Sequence, residues 1–299
     1  MTAYNQIASN KRRTIILIAL FVIVIIALGY VFSQAMDYGW GGVILATILS
    51  VVMSLVSYYS GDKLALLTAG AKGPIKKEEN AYAYRLVENL AITAGLPMPK
   101  VYIIPDSAIN AFATGRDPKH ASIAITQGAI ANLENEELEG VVAHELAHIK
   151  NYDIRLMMIV IICVSITTLL ANWFFRFSFF GGRRSSNRNG GGAGIILLLI
   201  GIVLAILSPV AAKLIQLAIS RKREFMADAS GVLLTRYPEG LAKALEKINQ
   251  QDLPLMRANK ATAHLYISNP FAHKKGFFSK MFSTHPPIEE RVKALRSIA

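Results

Sequence analysis

The stretch VVAHELAHIKNYDIRLMMIVIICV (Val141–Val164) decides how this chain is read. Its first half is charged and carries two histidines; its second half is apolar enough to enter a lipid bilayer. Chemistry and membrane entry are thus written without a break, and the rest of the chain must be fitted around that join.

Within the first half, His144-Glu145-Leu146-Ala147-His148 is the pattern H-E-x-x-H. On a helix, residues four apart lie one above the other, so both imidazoles point the same way. Two neutral imidazoles in that arrangement can share one Zn²⁺. Glu145 stands beside the first ligand, too constrained to ligate but placed to take a proton from a water at the metal. A structural pair of histidines on a helix is the bland alternative. A hydrolytic zinc site needs a third protein ligand and an open position. SRKREFMADAS (220–230) offers Glu224, with Asp228 one helical turn on. Asp228 would accept a hydrogen bond from a ligand imidazole and fix its tautomer. Taken alone, Glu224 reads as a surface carboxylate paired with Arg221 or Arg223; the preceding motif favours a ligand. The chain's one cysteine, Cys163, lies in an apolar run. No intramolecular disulfide can form, and a metal site must use His and carboxylate.

Of the 299 residues 53% are hydrophobic and 17% charged, and the mean hydropathy is +0.39. Those values point to a membrane protein. The formal charge of +12 does not indicate nucleic acid, because the basic residues sit beside apolar runs. Lys11-Arg12-Arg13, Arg183-Arg184 and Arg221-Lys222-Arg223 suit juxtamembrane anchoring.

Four apolar runs are candidates for the membrane: Thr14–Ser33, Tyr38–Tyr59, Leu156–Phe175 and Ile195 to about Ile219, the last kinked at Pro209. Tyr38, Trp40, Tyr58 and Tyr59 place aromatic residues at both ends of the second. A cleaved signal peptide is the rival for the first run, but its apolar core is longer than such peptides carry. Positive residues flank the first pair on its outer sides only, so those flanks and everything from Gly61 to Arg155 are expected in the cytoplasm. The connection RFSFFGGRRSSNRNGGGAG (176–194) carries four arginines and reads as a flexible linker. Positive-inside logic resists exporting it. Since His144 and Glu224 must meet at one ion, the second pair crosses twice or not at all.

Between the second and third runs, EENAYAYRLVENLAITAGL reads as a helix with Tyr84, Val87, Leu90 and Ala91 on one face, closed by Gly95. KVYIIP is a strand, SAINAFATG and HASIAITQG are extended, and ENEELEGVVAHELAHIKNYD is a second helix with acidic residues at its positive dipole end. After the fourth run RKREFMADASGVLLT and PEGLAKALEKIN are helical, and a helix begins near Ile288. The organisation is four blocks: 1–60, two membrane helices; 61–155, the first part of the catalytic domain; 156–219, a hydrophobic hairpin; 220–299, the second part with the third ligand.

AHELAHIKNYD, a hydrophobic pair, SRKREFMAD and the late STHPPIEERVKAL, with two N-terminal spans and NAFATG, together resemble the HtpX-type membrane zinc metalloproteases. These are bacterial heat-shock-linked relatives of the CAAX prenyl proteases, and the likeness extends over nearly the whole chain. It implies a mainly α membrane protein with an α+β zincin-like (gluzincin) domain of small sheet and active-site helix, facing the cytoplasm from the plasma membrane. It also implies one Zn²⁺ per chain, with His144, His148 and Glu224 as ligands, Glu145 as catalytic acid/base and Asp228 in support. The implied activity is endopeptidase cleavage of misfolded or damaged membrane proteins, in quality control and stress response. The partners expected are the bilayer and unfolded substrates, without nucleic acid.

Two weaker candidates remain. Asn110, Ala111, Phe112 and Ala113 would form an edge strand that grips an extended substrate backbone, or an ordinary strand edge. His285 could donate to the oxyanion of the scissile carbonyl, or merely cap the helix that follows. His120, His264 and His273 read as surface residues. An intramembrane site is disfavoured by Glu134, Glu136, Glu137, Glu139, Lys150 and Asp153 around the motif. A non-catalytic scaffold is disfavoured by Glu145, which such a protein does not need.

Overall fold

The computed structural model describes residues 3–35, 39–160, 163, 201, 221–251, 253–257, 265–268 and 286–298. The third run beyond residue 160, the Arg-bearing linker, the fourth run, His264, His273 and His285 lie outside these residues, Cys163 and Gly201 excepted. The chain divides into two units: Thr14–Tyr58 with Ile159–Ala218, and Met1–Arg13 with Tyr59–Met158 and Ile219–Ala299.

In the first unit the apolar runs are helical. Helix α1 (Ala3–Ala35) contains Thr14–Ser33, and α2 (Gly39–Thr68) contains the second run and continues past it. Residues Gly39–Val56 of α2, with mean hydropathy 2.0, are long and apolar enough to cross a membrane. The Ser33 hydroxyl donates to the Gly39 carbonyl where the two helices approach. Ile44, Ile48 and Leu55 are more than half exposed, a surface that water does not favour.

The second unit is mainly helical around a small mixed sheet. Helix α3 (Ala81–Ala94) starts where the Asn80 side chain accepts from the Ala83 N–H and stops at Gly95, whose φ of 66° is left-handed. Its buried face is Ala83, Leu86, Val87, Leu90, Ala91 and Ala94. Tyr84, expected on that face, lies at its margin. Strands β1 (Lys100–Ile104), β2 (Ala111–Gly115) and β3 (Ala121–Thr126) lie in the order β1-β3-β2. β1 runs parallel to β3, with Val101 beside Ile123, and β2 runs antiparallel to it, with Ala113 beside Ile123. A short helix α4 (Gln127–Asn132), capped by Thr126, leads from the sheet toward the motif helix.

That motif helix, α5 (Asn135–Lys150), is the core of the unit. At its start the Glu137 carboxylate accepts from the Glu134 N–H at 2.8 Å and from Lys247 Nζ at 2.7 Å. From Gly140 to Ile149 every residue is buried. A helix buried on all sides needs apolar neighbours on every face. They come from β2, from α3, and from two later helices, α6 (Arg221–Thr235) and α7 (Pro238–Gln250); a third, α8 (Ile288–Arg296), packs on α6 and α7. Leu138, Leu146, Ile123, Ile125, Leu241 and Leu295 share one continuous cluster. Each such side chain contributes roughly 1.5–3 kcal/mol on burial.

Candidate active site

The one-turn spacing on α5 stacks His144 and His148 with ring centroids 4.7 Å apart and planes at 90°. Their Nε2 atoms face each other at 3.1 Å. Glu224 reaches them from α6, its Oε2 lying 3.8 Å from His144 Nε2 and its Oε1 3.6 Å from His148 Nε2. All three side chains are buried. Glu224 is therefore no surface carboxylate. α6 can lie this close because it carries Gly231, where a Cβ would stand 3.1 Å from the His144 backbone nitrogen. The one-turn and two-turn offsets back from Gly231 then bring Asp228 and Glu224 over the histidines.

Each imidazole is held from behind by a different carboxylate. His144 Nδ1 donates to Asp228 Oδ1 at 2.9 Å, and His148 Nδ1 donates to Asp153 Oδ2 at 3.0 Å. Both Nε2 lone pairs are thereby turned toward the Glu224 carboxylate. The three ligand atoms lie within 4.8 Å of one another. Two imidazole nitrogens and one carboxylate oxygen converging in a buried pocket fit a divalent cation of the zinc type, and the carboxylates behind them fix the tautomers.

The electrostatics of the metal-free chain agree with that geometry. Burial pushes His144 down to about 4, against the pull of Asp228. For His148 burial acts the same way, but Asp153 and Glu224 outweigh it and hold the group up at about 9. The two environments thus pull the pair apart, favouring the neutral form of His144 and the charged form of His148. Burial pushes Glu145 up to about 8, with Glu224 adding to the rise. Its Oε2 accepts from the Ala113 N–H at 2.7 Å, which orients the carboxylate. Asp228 stays ionised, near 2: burial opposes the charge, and Arg291 overrides it.

Arg291 escaped the sequence reading. It is fully buried, with Nη2 on Asp228 Oδ1 at 2.6 Å and Nε on Oδ2 at 2.9 Å. Its Nη1 donates to the Ile267 carbonyl at 3.2 Å. A charge within the apolar stripe Ile288, Val292, Leu295 was the available signal. In sequence Asp153 reads only as a charge near the motif; its place five residues after His148 brings it to the back of that ring.

β2 is an end strand of the sheet, and its Asn110-Ala111-Phe112-Ala113 portion is buried rather than open. The Ala111 carbonyl accepts from the Ile267 N–H at 3.1 Å, Phe112 packs edge-on against Tyr266 at 5.1 Å, and the Asn110 amide reaches Ser268 Oγ at 3.5 Å. The edge strand expected here is in place, and residues 265–268 lie against it, since strand edges with unpaired polar groups are costly to bury. His120 is a surface residue paired with Asp117 at 2.8 Å. His285 cannot be placed relative to these groups, since it lies outside the described residues.

Residues 77–299 match peptidase family M48. Over 298 residues the chain is 44% identical to a "Protease HtpX homolog" of Caldanaerobacter subterraneus subsp. tengcongensis, covering 99% of this chain and 98% of that one. A "Protease HtpX homolog" of Thermoanaerobacter pseudethanolicus gives the same identity and coverage. That of Dictyoglomus thermophilum is 43% identical over 295 residues, with 99% and 94% covered. The crystal structure of S. mikatae Ste24p shares the fold, with TM-score 0.51 at 21% identity over 89% of this chain. The present chain spans 61% of that larger one. The match over residues 77–299 and the identity to these relatives over nearly the whole chain show the family: the chain belongs to peptidase family M48, among its HtpX-type metalloproteases.

Proposed function

We propose that the chain is a membrane-anchored, zinc-dependent endopeptidase whose site faces the cytoplasm and acts on misfolded or damaged membrane proteins. The observation that carries the reading is the convergence of His144, His148 and Glu224 beside a carboxylate, Glu145, that is oriented by the backbone of β2. His144, His148 and Glu224 would hold the ion, and a bound zinc would supply Lewis-acid polarisation of the scissile carbonyl and acidify a water. Glu145 takes that water's proton and returns it to the leaving amine; its raised affinity for protons suits both transfers near neutral pH. Asp228 and Asp153 keep the two imidazoles in the ligating tautomer, and Arg291 keeps Asp228 ionised. An extended substrate would run along β2, taking the position that Ile267 now holds on the Ala111 carbonyl.

Membrane anchorage rests on the helical runs of α1 and α2, and the cytoplasmic side on the basic residues that flank them. Because His144 and Glu224 meet, the chain between them returns to the side it left.

Glu145→Gln provides the test. The variant should keep one equivalent of zinc by elemental analysis while cleavage of an unfolded protein drops about 100- to 10,000-fold. Retained cleavage with stoichiometric zinc removes the assignment of Glu145.

A further inference from the structure

The two carboxylates behind the histidines are anchored differently. Asp228 is held by Arg291 from α8. Asp153 is held from the other end of the chain. Its Oδ2 faces His148, and its Oδ1 accepts from the Asn10 side-chain amide at 2.7 Å. Arg223 Nε stands 3.4 Å from the same Oδ1. The Asn10 amide nitrogen also donates to the Asn151 carbonyl at 2.9 Å, and Asn151 caps the C-terminal end of α5. Asn10, Asp153 and Arg223 are 1%, 1% and 2% exposed.

The chemistry gives this arrangement a purpose. A carboxylate has two equivalent oxygens and can turn about its last bond. Asn10 and Arg223 occupy one oxygen, so the other is committed to the His148 ring. A single amide group supplies two N–H donors, and here one bridges to the Asp153 carboxylate and one to the end of the helix that carries His148. The ligand's orientation is thus tied to its own helix through Asn10. Side chains that position a metal ligand from behind commonly change metal affinity by about 10- to 100-fold when removed.

We propose that Asn10 is a positioning residue of the metal centre, acting through Asp153 on the His148 imidazole, so that the segment just ahead of the first apolar run is part of the site. The inference rests on the reading of His144, His148 and Glu224 as metal ligands.

The full-length protein, purified in detergent and stripped of metal, is titrated with Co²⁺ by visible absorption and with Zn²⁺ against a competing chelator. Asn10→Ala should weaken binding about tenfold and alter the Co²⁺ ligand-field bands. Asp153→Asn should weaken it at least as much, and adding Asn10→Ala to Asp153→Asn should cost little more, because the two act in series. Asn10→Leu fills the same volume without a donor and should behave like Asn10→Ala, which guards against a variant that fails to fold. Unchanged affinity and bands in both Asn10 variants overturn the proposal. So does full additivity with Asp153→Asn, or a lower melting temperature of the metal-free protein with metal binding intact. If His148→Ala abolishes binding and the Asn10 variants leave it alone, this proposal falls and the metal site stands. If the wild-type protein itself binds no metal, both fall.

Discussion

A guanidinium with no access to water must have its charge answered on the spot, and Arg291 answers it with both oxygens of Asp228. Removing one partner of such a pair leaves the other as an uncompensated buried charge, typically costing about 3–5 kcal/mol. Arg291→Met should therefore lower stability toward denaturant by about that amount, and adding Asp228→Asn should recover part of it without restoring metal affinity. The histidines make a second prediction. In the metal-free chain His148 keeps its proton to about pH 9, and a protonated imidazole cannot ligate. Below that pH each ion bound must displace the proton, so affinity should fall about tenfold per pH unit as pH drops. Chelator competition between pH 6 and 8, with proton release followed by a dye, checks the sign and the slope. At this scale the sequence was legible where spacing carries the chemistry: His144, Glu145 and His148 are one motif, and Glu224 and Asp228 share a helical face. Arg291, Asp153 and Asn10 were not, because their roles depend on which distant segments meet. A lone charge gives no local sign of whom it faces.

At the level of elements, periodicity and end signals located α3, α5, α6, α7 and α8, and the extended stretches became the three strands. What periodicity could not supply was enclosure. α5 carries polar residues on several faces, yet it is buried all round because four other elements, β2, α3, α6 and α7, converge on it. Nor did the strand pattern show that β2 would be occupied along its outer edge. That occupancy makes a prediction. Proline at 267 has no N–H to give the Ala111 carbonyl, which frees one acceptor for a substrate backbone. A hydrogen bond of this kind is worth a net 0.5–1.5 kcal/mol, so Ile267→Pro should lower KM for an extended peptide by roughly 2- to 10-fold with kcat little changed. An unchanged KM would mean that substrates do not use this edge.

For the whole molecule, the topology proposed above has the basic residues outside the first helical pair keeping both of its flanks on the cytoplasmic side. With Cys163→Ser as background, a cysteine at Gln34 should react with an impermeant reagent on intact cells, and one at Lys76 only after permeabilisation. The reverse pattern would put the catalytic residues outside. Composition points to the membrane class, since apolar content and charge are summed over the chain. It could not show that the catalytic unit is gathered from three separate stretches, Met1–Arg13, Tyr59–Met158 and Ile219–Ala299. That gathering has a consequence in time. Chains are synthesised from the N-terminus, so Asn10 waits for Asp153, the histidine pair waits for Glu224, and Asp228 waits for Arg291. A ribosome-bound precursor therefore lacks the full ligand set until Glu224 has been made, and Asp228 lacks its buried counter-charge until Arg291 follows.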